Sequence, residues 1–208
     1  KENIFNVGSL GVENIKKLKL INKDDLEKKL NISFDLSLFL ITFHAETLSN
    51  TSVDKQIQPL LEALEQVKNV SFLFTSSNSD VGGEIINKKI LDFVKINKNA
   101  FFYKNLGHLN YLSVMKYSNA VIGNSSSGII EAPSLNVPSI NIGDRQFGRE
   151  KSLSVIDCKN TKTKIMEAID QILQKKINIS NIKSPYEKEE TSSSILKILK
   201  KIDYKNIE

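Results

Sequence analysis

Short apolar runs alternating with helix-periodic segments constrain this chain more than any other feature. "LSLFLITF" (Leu36–Phe43) is apolar at nearly every position, as a strand buried on both faces requires. Val53, Ile57, Leu60, Leu61, Leu64 and Val67 then recur at the spacing of one helix face. "VSFLFT" (Val70–Thr75) reads as the next strand, and Ile85, Ile86, Ile90, Phe93 and Val94 mark the next helix. "AFFY" (Ala100–Tyr103), "AVIG" (Ala120–Gly123), "SINI" (Ser139–Ile142) and "LSVI" (Leu153–Ile156) read as further strands. Helical segments are expected at His108–Ser118, Gly128–Leu135 and Thr163–Leu173. Strands and helices in alternation require parallel crossovers, so the expected fold is α/β with a doubly wound, Rossmann-like parallel sheet. The 208 residues suffice for one domain with a sizeable core, and 40% hydrophobic with 25% charged residues is a globular balance.

The two ends differ from this core. Residues 1–29 hold two short helical patterns, Val12–Lys19 and Asp24–Leu30. Lys175–Lys183 reads as a solvated connector, and Lys188–Tyr204 as an amphipathic helix with Ile195, Ile198, Leu199 and Ile202 on one face. The net charge of +5 comes from scattered lysines near polar or acidic neighbours, and the few aromatics do not interleave with basic residues. Nucleic acid is therefore not the expected partner. The single cysteine, Cys158, follows an apolar stretch and is expected as a small core residue in a reducing compartment. No apolar run approaches a membrane span, and the first residues do not read as a signal peptide. The expected location is cytoplasmic.

In doubly wound sheets ligands bind beyond the carboxyl ends of strands. Four polar loops fall there: His44–Thr47, Thr75–Asp80, the stretch Asn124–Gly128, and Gly143–Gln146. In the third, a strand runs through small residues into a helix. Backbone N–H groups at such a helix start, with hydroxyls beside them, favour an anion. Gly128 would permit close approach of the backbone. Glu131, about one turn on, suits a ribose diol. The competing reading is an ordinary cap, with Glu131 as the far half of a capping box. His44, directly after a buried strand, is a candidate acid, base or phosphate donor, or simply closes the strand. Arg145 and Arg149 can bind phosphate or carboxylate, or pair with Asp144 and Glu150. His108 opens a helix and reads as exposed and structural. The sequence holds no metal-ligand cluster and no glycine-rich dinucleotide fingerprint.

"ITFHAETL", "TSSNSDVGG", "VIGNSSSGIIEAPSLNVPSINIGDRQFGRE" and "FNVGSLGVENI" resemble the hydrolysing UDP-N-acetylglucosamine 2-epimerases of bacterial sialic-acid synthesis and of the bifunctional animal enzyme. The resemblance spans nearly the whole chain. It implies the second domain of a glycosyltransferase-B-like two-domain enzyme, in which a nucleotide sugar lies between two Rossmann-like halves. Residues 1–30 would be linker and helices from the end of a missing N-terminal domain. Residues 31–186 would be the nucleotide-sugar-binding domain, and 187–208 a helix packing back on the first domain. The absence of an initiating methionine fits that expectation. By the resemblance, His44 lies beside the diphosphate and sugar, Ser125 and Ser126 bind the diphosphate, and Glu131 binds the ribose. Arg145 belongs to the family's "RQ-GR" block, and Asn78 to its polar loop, with Asp80.

The implied reaction is anti elimination of UDP across C1–C2 followed by addition of water, giving N-acetylmannosamine, with no cofactor and no metal. The acidic catalytic residues belong mainly to the missing half, so this chain alone is expected to fold and bind UDP without turnover. The full-length protein is expected to be a homo-oligomer. Alternatives are a 2-epimerase of another sugar nucleotide such as UDP-N,N'-diacetylbacillosamine, the non-hydrolysing branch, and an inactive nucleotide-binding regulatory module.

Overall fold

The structure, a computed structural model, describes residues 4–34, 36–47, 49–176 and 183–202. Its elements run α1 (Leu10–Lys17), α2 (Lys23–Leu30), β1 (Ser37–Thr42), α3 (Val53–Leu64), β2 (Val70–Thr75), α4 (Gly83–Ile96), β3 (Ala100–Tyr103), α5 (His108–Tyr117), β4 (Ala120–Gly123), α6 (Ser127–Ser134), β5 (Ser139–Ile142), β6 (Val155–Cys158), α7 (Lys162–Leu173) and α8 (Thr191–Leu199). The strands form one parallel six-stranded sheet in the order β3-β2-β1-β4-β5-β6. That is the doubly wound Rossmann order, with its reversal between β1 and β4.

The continuous apolar runs are explained by two cores. Successive side chains leave a strand on opposite faces. Phe39 and Ile41 of β1 and Phe72 and Phe74 of β2 join α3, α4 and α7 in one core. Leu38, Leu40 and Leu73 join α1, α2, α5 and α6 in the other. Phe93 of α4 packs edge-on to Phe74, their centroids 5.7 Å apart. Local chemistry sets the helix ends. Asn22 caps α2 by accepting from the Asp25 N–H at 2.9 Å, with Asp24 and Asp25 in the first turn and Lys28 and Lys29 in the last. Asn31 closes the helix in the left-handed region.

Several elements depart from their expected bounds, α1 by running Leu10–Lys17 rather than Val12–Lys19. β6 begins at Val155 rather than Leu153, because Ser139 of β5 pairs with Val155; Leu153 stands in a turn, 99% exposed. α6 starts at Ser127, one residue early. The last helix begins at Thr191 instead of Lys188, since Glu190 takes a left-handed conformation that no helix can include. Tyr204, the expected end of that segment, and residues 177–182 of the connector lie outside the described residues. Cys158 is half-buried on the edge strand and packs against the core, and burial pushes its thiol up to about 11.

The two ends of the chain are stitched together. Ser9 N–H donates to the Tyr186 carbonyl (2.9 Å), Thr191 Oγ1 to Val7 O (2.8 Å), and Lys188 Nζ to Asn6 O (3.0 Å). α8 thus lies on α1, with Leu196, Leu199 and Ile202 exposed. Among the described residues, no helix is long and apolar enough to cross a membrane.

Candidate functional site at the strand-order reversal

The reversal places the ends of β1 and β4 side by side, with Thr42 opposite Gly123. The two backbones approach so closely that a Cβ on Gly123 would stand 2.0 Å from the Thr42 carbonyl oxygen. Gly123 also has φ +137°. It is here, not at Gly128, that glycine is obligatory; a Cβ at Gly128 would meet only Ser139 and Val121 at ordinary contact distances.

Asn124, wholly buried, joins the two strand ends. Its Oδ1 accepts from the His44 N–H at 2.7 Å and its Nδ2 donates to the His44 carbonyl at 2.9 Å. Its carbonyl accepts from Gln146 Nε2 (2.9 Å) and Arg145 Nη1 (3.1 Å). One side chain and one carbonyl therefore tie the loops after β1, β4 and β5 into a single edge.

The serine loop opens α6. The N-cap Ser126 makes no side-chain cap bond. Glu131 sits five residues beyond that N-cap, whereas a capping box needs three. The capping-box reading of Glu131 is therefore excluded by where the helix begins. The backbone N–H groups of Ser125 and Ser126 donate to no protein acceptor among the described residues. Unspent donors at a helix N-terminus are an anion's natural partners. Ser125, Ser126 and Glu131 line one cleft of about 400 Å³ together with Thr42, Lys104 and His108. Burial raises the pKa of Glu131 above the usual carboxylate value, and the nearby His108 opposes that rise. A half-buried carboxylate that accepts from no protein donor among the described residues is suited to accept from a diol.

His44 stands on the β1 side of the same edge. Its Nδ1 lies 3.0 Å from the Asn78 N–H, which can only donate. Nδ1 is thus the acceptor, and the ring proton belongs to Nε2. Burial first, and then the charge of Arg145, lower its pKa to about 4, with Asp80 pulling the other way. At neutral pH the ring is an uncharged hydrogen-bond donor rather than an acid.

The expected site residues fall into two groups joined by Asn124. Ser125, Ser126 and Glu131 share the cleft. His44, Asn78 and Arg145 adjoin it: Asn78 orients His44 through its backbone, while its side chain binds Asp80, and Arg145 braces the carbonyl just before Ser125. His108 is exposed, as expected, yet it stands at the cleft rim. Asn124 and Gln146 belong to the expected polar loops without an expected role, and Lys104 and Tyr111 were not expected at the site. For Lys104 a usable signal existed, since it directly follows β3 at the same sheet edge. No group of three or more metal-binding side chains occurs among the described residues.

The chain is 44% identical over 158 residues to a hydrolyzing GDP/UDP-N,N'-diacetylbacillosamine 2-epimerase of Campylobacter jejuni, covering 76% of this chain and 41% of that protein. It is 44% identical over 201 residues to the polysialic acid biosynthesis protein P7 of Escherichia coli, covering 95% and 51%. The chain thus spans about half the length of these curated relatives. The crystal structure of a Neisseria meningitidis UDP-GlcNAc 2-epimerase bound to UDP-GlcNAc superposes with a TM-score of 0.75 at 20% identity, covering 94% of this chain and 55% of that one. That likeness shows the shared fold, a Rossmann-like half of a glycosyltransferase-B-like architecture. The family profile described as UDP-N-acetylglucosamine 2-epimerase matches residues 1–200, and the chain belongs to that family.

Proposed function

We propose that this chain is the nucleotide-binding half of a hydrolysing UDP-N-acetylglucosamine 2-epimerase, residues 31–186 holding UDP and the flanking segments meeting a first domain. The observation that carries this reading is the pair of unspent N–H groups at Ser125 and Ser126, in one cleft with Glu131. The diphosphate would take the donors and the ribose diol the carboxylate. In the reaction, a base from the other half removes the C2 proton. The C1–O bond breaks, its electron pair leaving with UDP, and a C1–C2 double bond forms. Water then adds across that bond, leaving the C2 configuration inverted. This half stabilises the leaving group, through the serine loop, the Nε2–H of neutral His44, and Arg145. Neither a metal nor a cofactor enters.

A second reading is a hydrolysing 2-epimerase of UDP-N,N'-diacetylbacillosamine, supported by the Campylobacter relative at 44% identity. Both readings share the UDP site and differ at the sugar, which the other half would contact. The test is calorimetric titration of the chain with UDP, uridine and pyrophosphate. UDP is expected to bind more tightly than either part alone. Glu131→Ala is expected to weaken UDP more than pyrophosphate, because only UDP carries the ribose. Equal losses for both ligands would reduce Glu131 to a structural charge, and absence of UDP binding would overturn the reading.

A further inference from the structure

We infer that the Tyr111 and Ser127 hydroxyls act as a one-way hydrogen-bond relay that commits the Ser125 hydroxyl to donating into the cleft, which makes Tyr111 a positioning residue for a bound phosphate. The inference rests on the diphosphate reading of the serine loop and adds residues that reading does not use.

The direction follows from valence. A hydroxyl has one proton and two acceptor positions. Ser125 Oγ accepts from the Ser127 hydroxyl at 3.1 Å and, more weakly, from the Ser127 N–H at 3.4 Å. Both acceptor positions are engaged, so what Ser125 still offers is its proton, and it offers it in the cleft it lines. Ser127 has given its own proton to Ser125. Its 2.6 Å contact with Tyr111 must therefore be one in which the phenol donates.

Burial strengthens the line. Ser127 is 7% exposed, and Tyr111 packs against the core on the α5 face. Away from water, hydrogen bonds in series polarise one another. Burial also raises the Tyr111 pKa, which keeps the phenol protonated and donating. The output at Ser125 is a polarised O–H, which an anionic oxygen exploits and a neutral ribose hydroxyl does not. Helices α5 and α6 thus converge on one donor.

Tyr111→Phe keeps the packed ring and removes the link. It is expected to weaken UDP and pyrophosphate by roughly five- to tenfold, the loss of about one hydrogen bond, and to leave uridine unchanged. Ser127→Ala cuts the next link without touching the ring, and serves equally should Tyr111→Phe fail to fold. Because the two act in series, the double variant is expected to bind UDP no worse than the weaker single variant. A merely structural Tyr111 would not discriminate pyrophosphate from uridine. Wild-type affinity in Tyr111→Phe, equal losses for uridine and pyrophosphate, or additive losses in the double variant would each overturn the relay. A wild-type chain that binds neither UDP nor pyrophosphate would instead overturn the diphosphate reading, and the relay's destination with it.

Discussion

The β1–β4 edge and the β5–β6 edge belong to one sheet and carry equally polar loops, but their polar groups are spent differently. At β5–β6, both Asp157 oxygens take Lys151 Nζ at 2.8 Å, and Oδ1 also takes Asn141 Nδ2 at 2.7 Å. The buried side-chain atoms left without partners there, Asn141 Oδ1 and Asn160 Oδ1, are acceptors. At β1–β4 the unspent groups include donors, the N–H groups of Ser125 and Ser126, beside the buried acceptor Gln146 Oε1. The hollow beside β5–β6 is the larger, about 660 Å³ against about 400 Å³. Size would choose the wrong edge, because an anion needs unspent donors rather than room. The comparison teaches that a strand-end loop becomes a site by what it leaves unsatisfied.

The sharpest way to break the comparison is at its glycines. Gly123→Ala would drive a Cβ to 2.0 Å from the Thr42 carbonyl at φ +137°. Neither backbone can yield, since both lie in the sheet centre. A loss of more than about 3 kcal/mol, or failure to fold, is expected in urea denaturation. Gly148, in the loop after β5, also has positive φ (+79°), but a Cβ there meets nothing within 4 Å. Gly148→Ala is expected to cost about 1 kcal/mol, the left-handed penalty alone. Similar costs for the two would mean that β1 and β4 are free to part.

His44 sharpens the comparison on the catalytic side. In the intact two-domain enzyme, His44→Ala is expected to lower turnover about a hundredfold, the usual effect of removing one preorganised donor. KM should change less, since the contact strengthens as charge develops on the leaving group. Near-normal turnover per folded molecule would remove His44 from the mechanism. Its folded-state pKa, about 4 against 6.5, adds a pH signature. Between those values the unfolded chain takes up a proton that the folded chain excludes. Stability is therefore full above pH 6.5 and falls as pH drops towards 4, by no more than about 2 kcal/mol once the ring's partial exposure is allowed for. In His44→Asn that part of the acid slope should vanish; an unchanged slope would assign it to other groups.

Most of the fold was legible in the sequence because burial on both faces leaves a one-dimensional record. Val70–Thr75, Ala100–Tyr103, Ala120–Gly123 and Ser139–Ile142 are strands with the expected bounds. The edge strand was misplaced by two residues, since solvent on one side weakens the apolar signal and pairing with β5 decides the register. The family resemblance and the carboxyl-end rule brought out the serine loop, Glu131 and His44. Neither gave Asn124 its role, and neither pointed to Tyr111. Asn124 reads as one more loop amide, and only the close approach of β1 and β4 shows it buried and binding both. Tyr111 reads as one apolar position of α5; its hydroxyl acquires meaning from Ser127, which sequence spacing alone does not bring to it.

The smallest expected effect tests whether the β5–β6 edge is truly outside the site. Asp157 is held by Lys151 and Asn141 but is itself more than half exposed. Asp157→Asn keeps the shape of the side chain, retains an oxygen for Lys151 or Asn141, and removes the charge. Solvent-screened pairs of this kind contribute under about 1 kcal/mol, so the expected loss of stability is a few tenths, and it should shrink further at high salt. Releasing Lys151 from its carboxylate also leaves a positive charge at the sheet edge. If the two edges shared one ligand, that charge would draw the diphosphate and UDP would bind more tightly. If they are separate, as the unspent donors of the serine loop imply, UDP affinity at moderate salt stays at the wild-type value while Glu131→Ala in the same assay lowers it. A clear gain in affinity for Asp157→Asn would extend the anion site across β5, and the contrast between the two edges would then be one of degree.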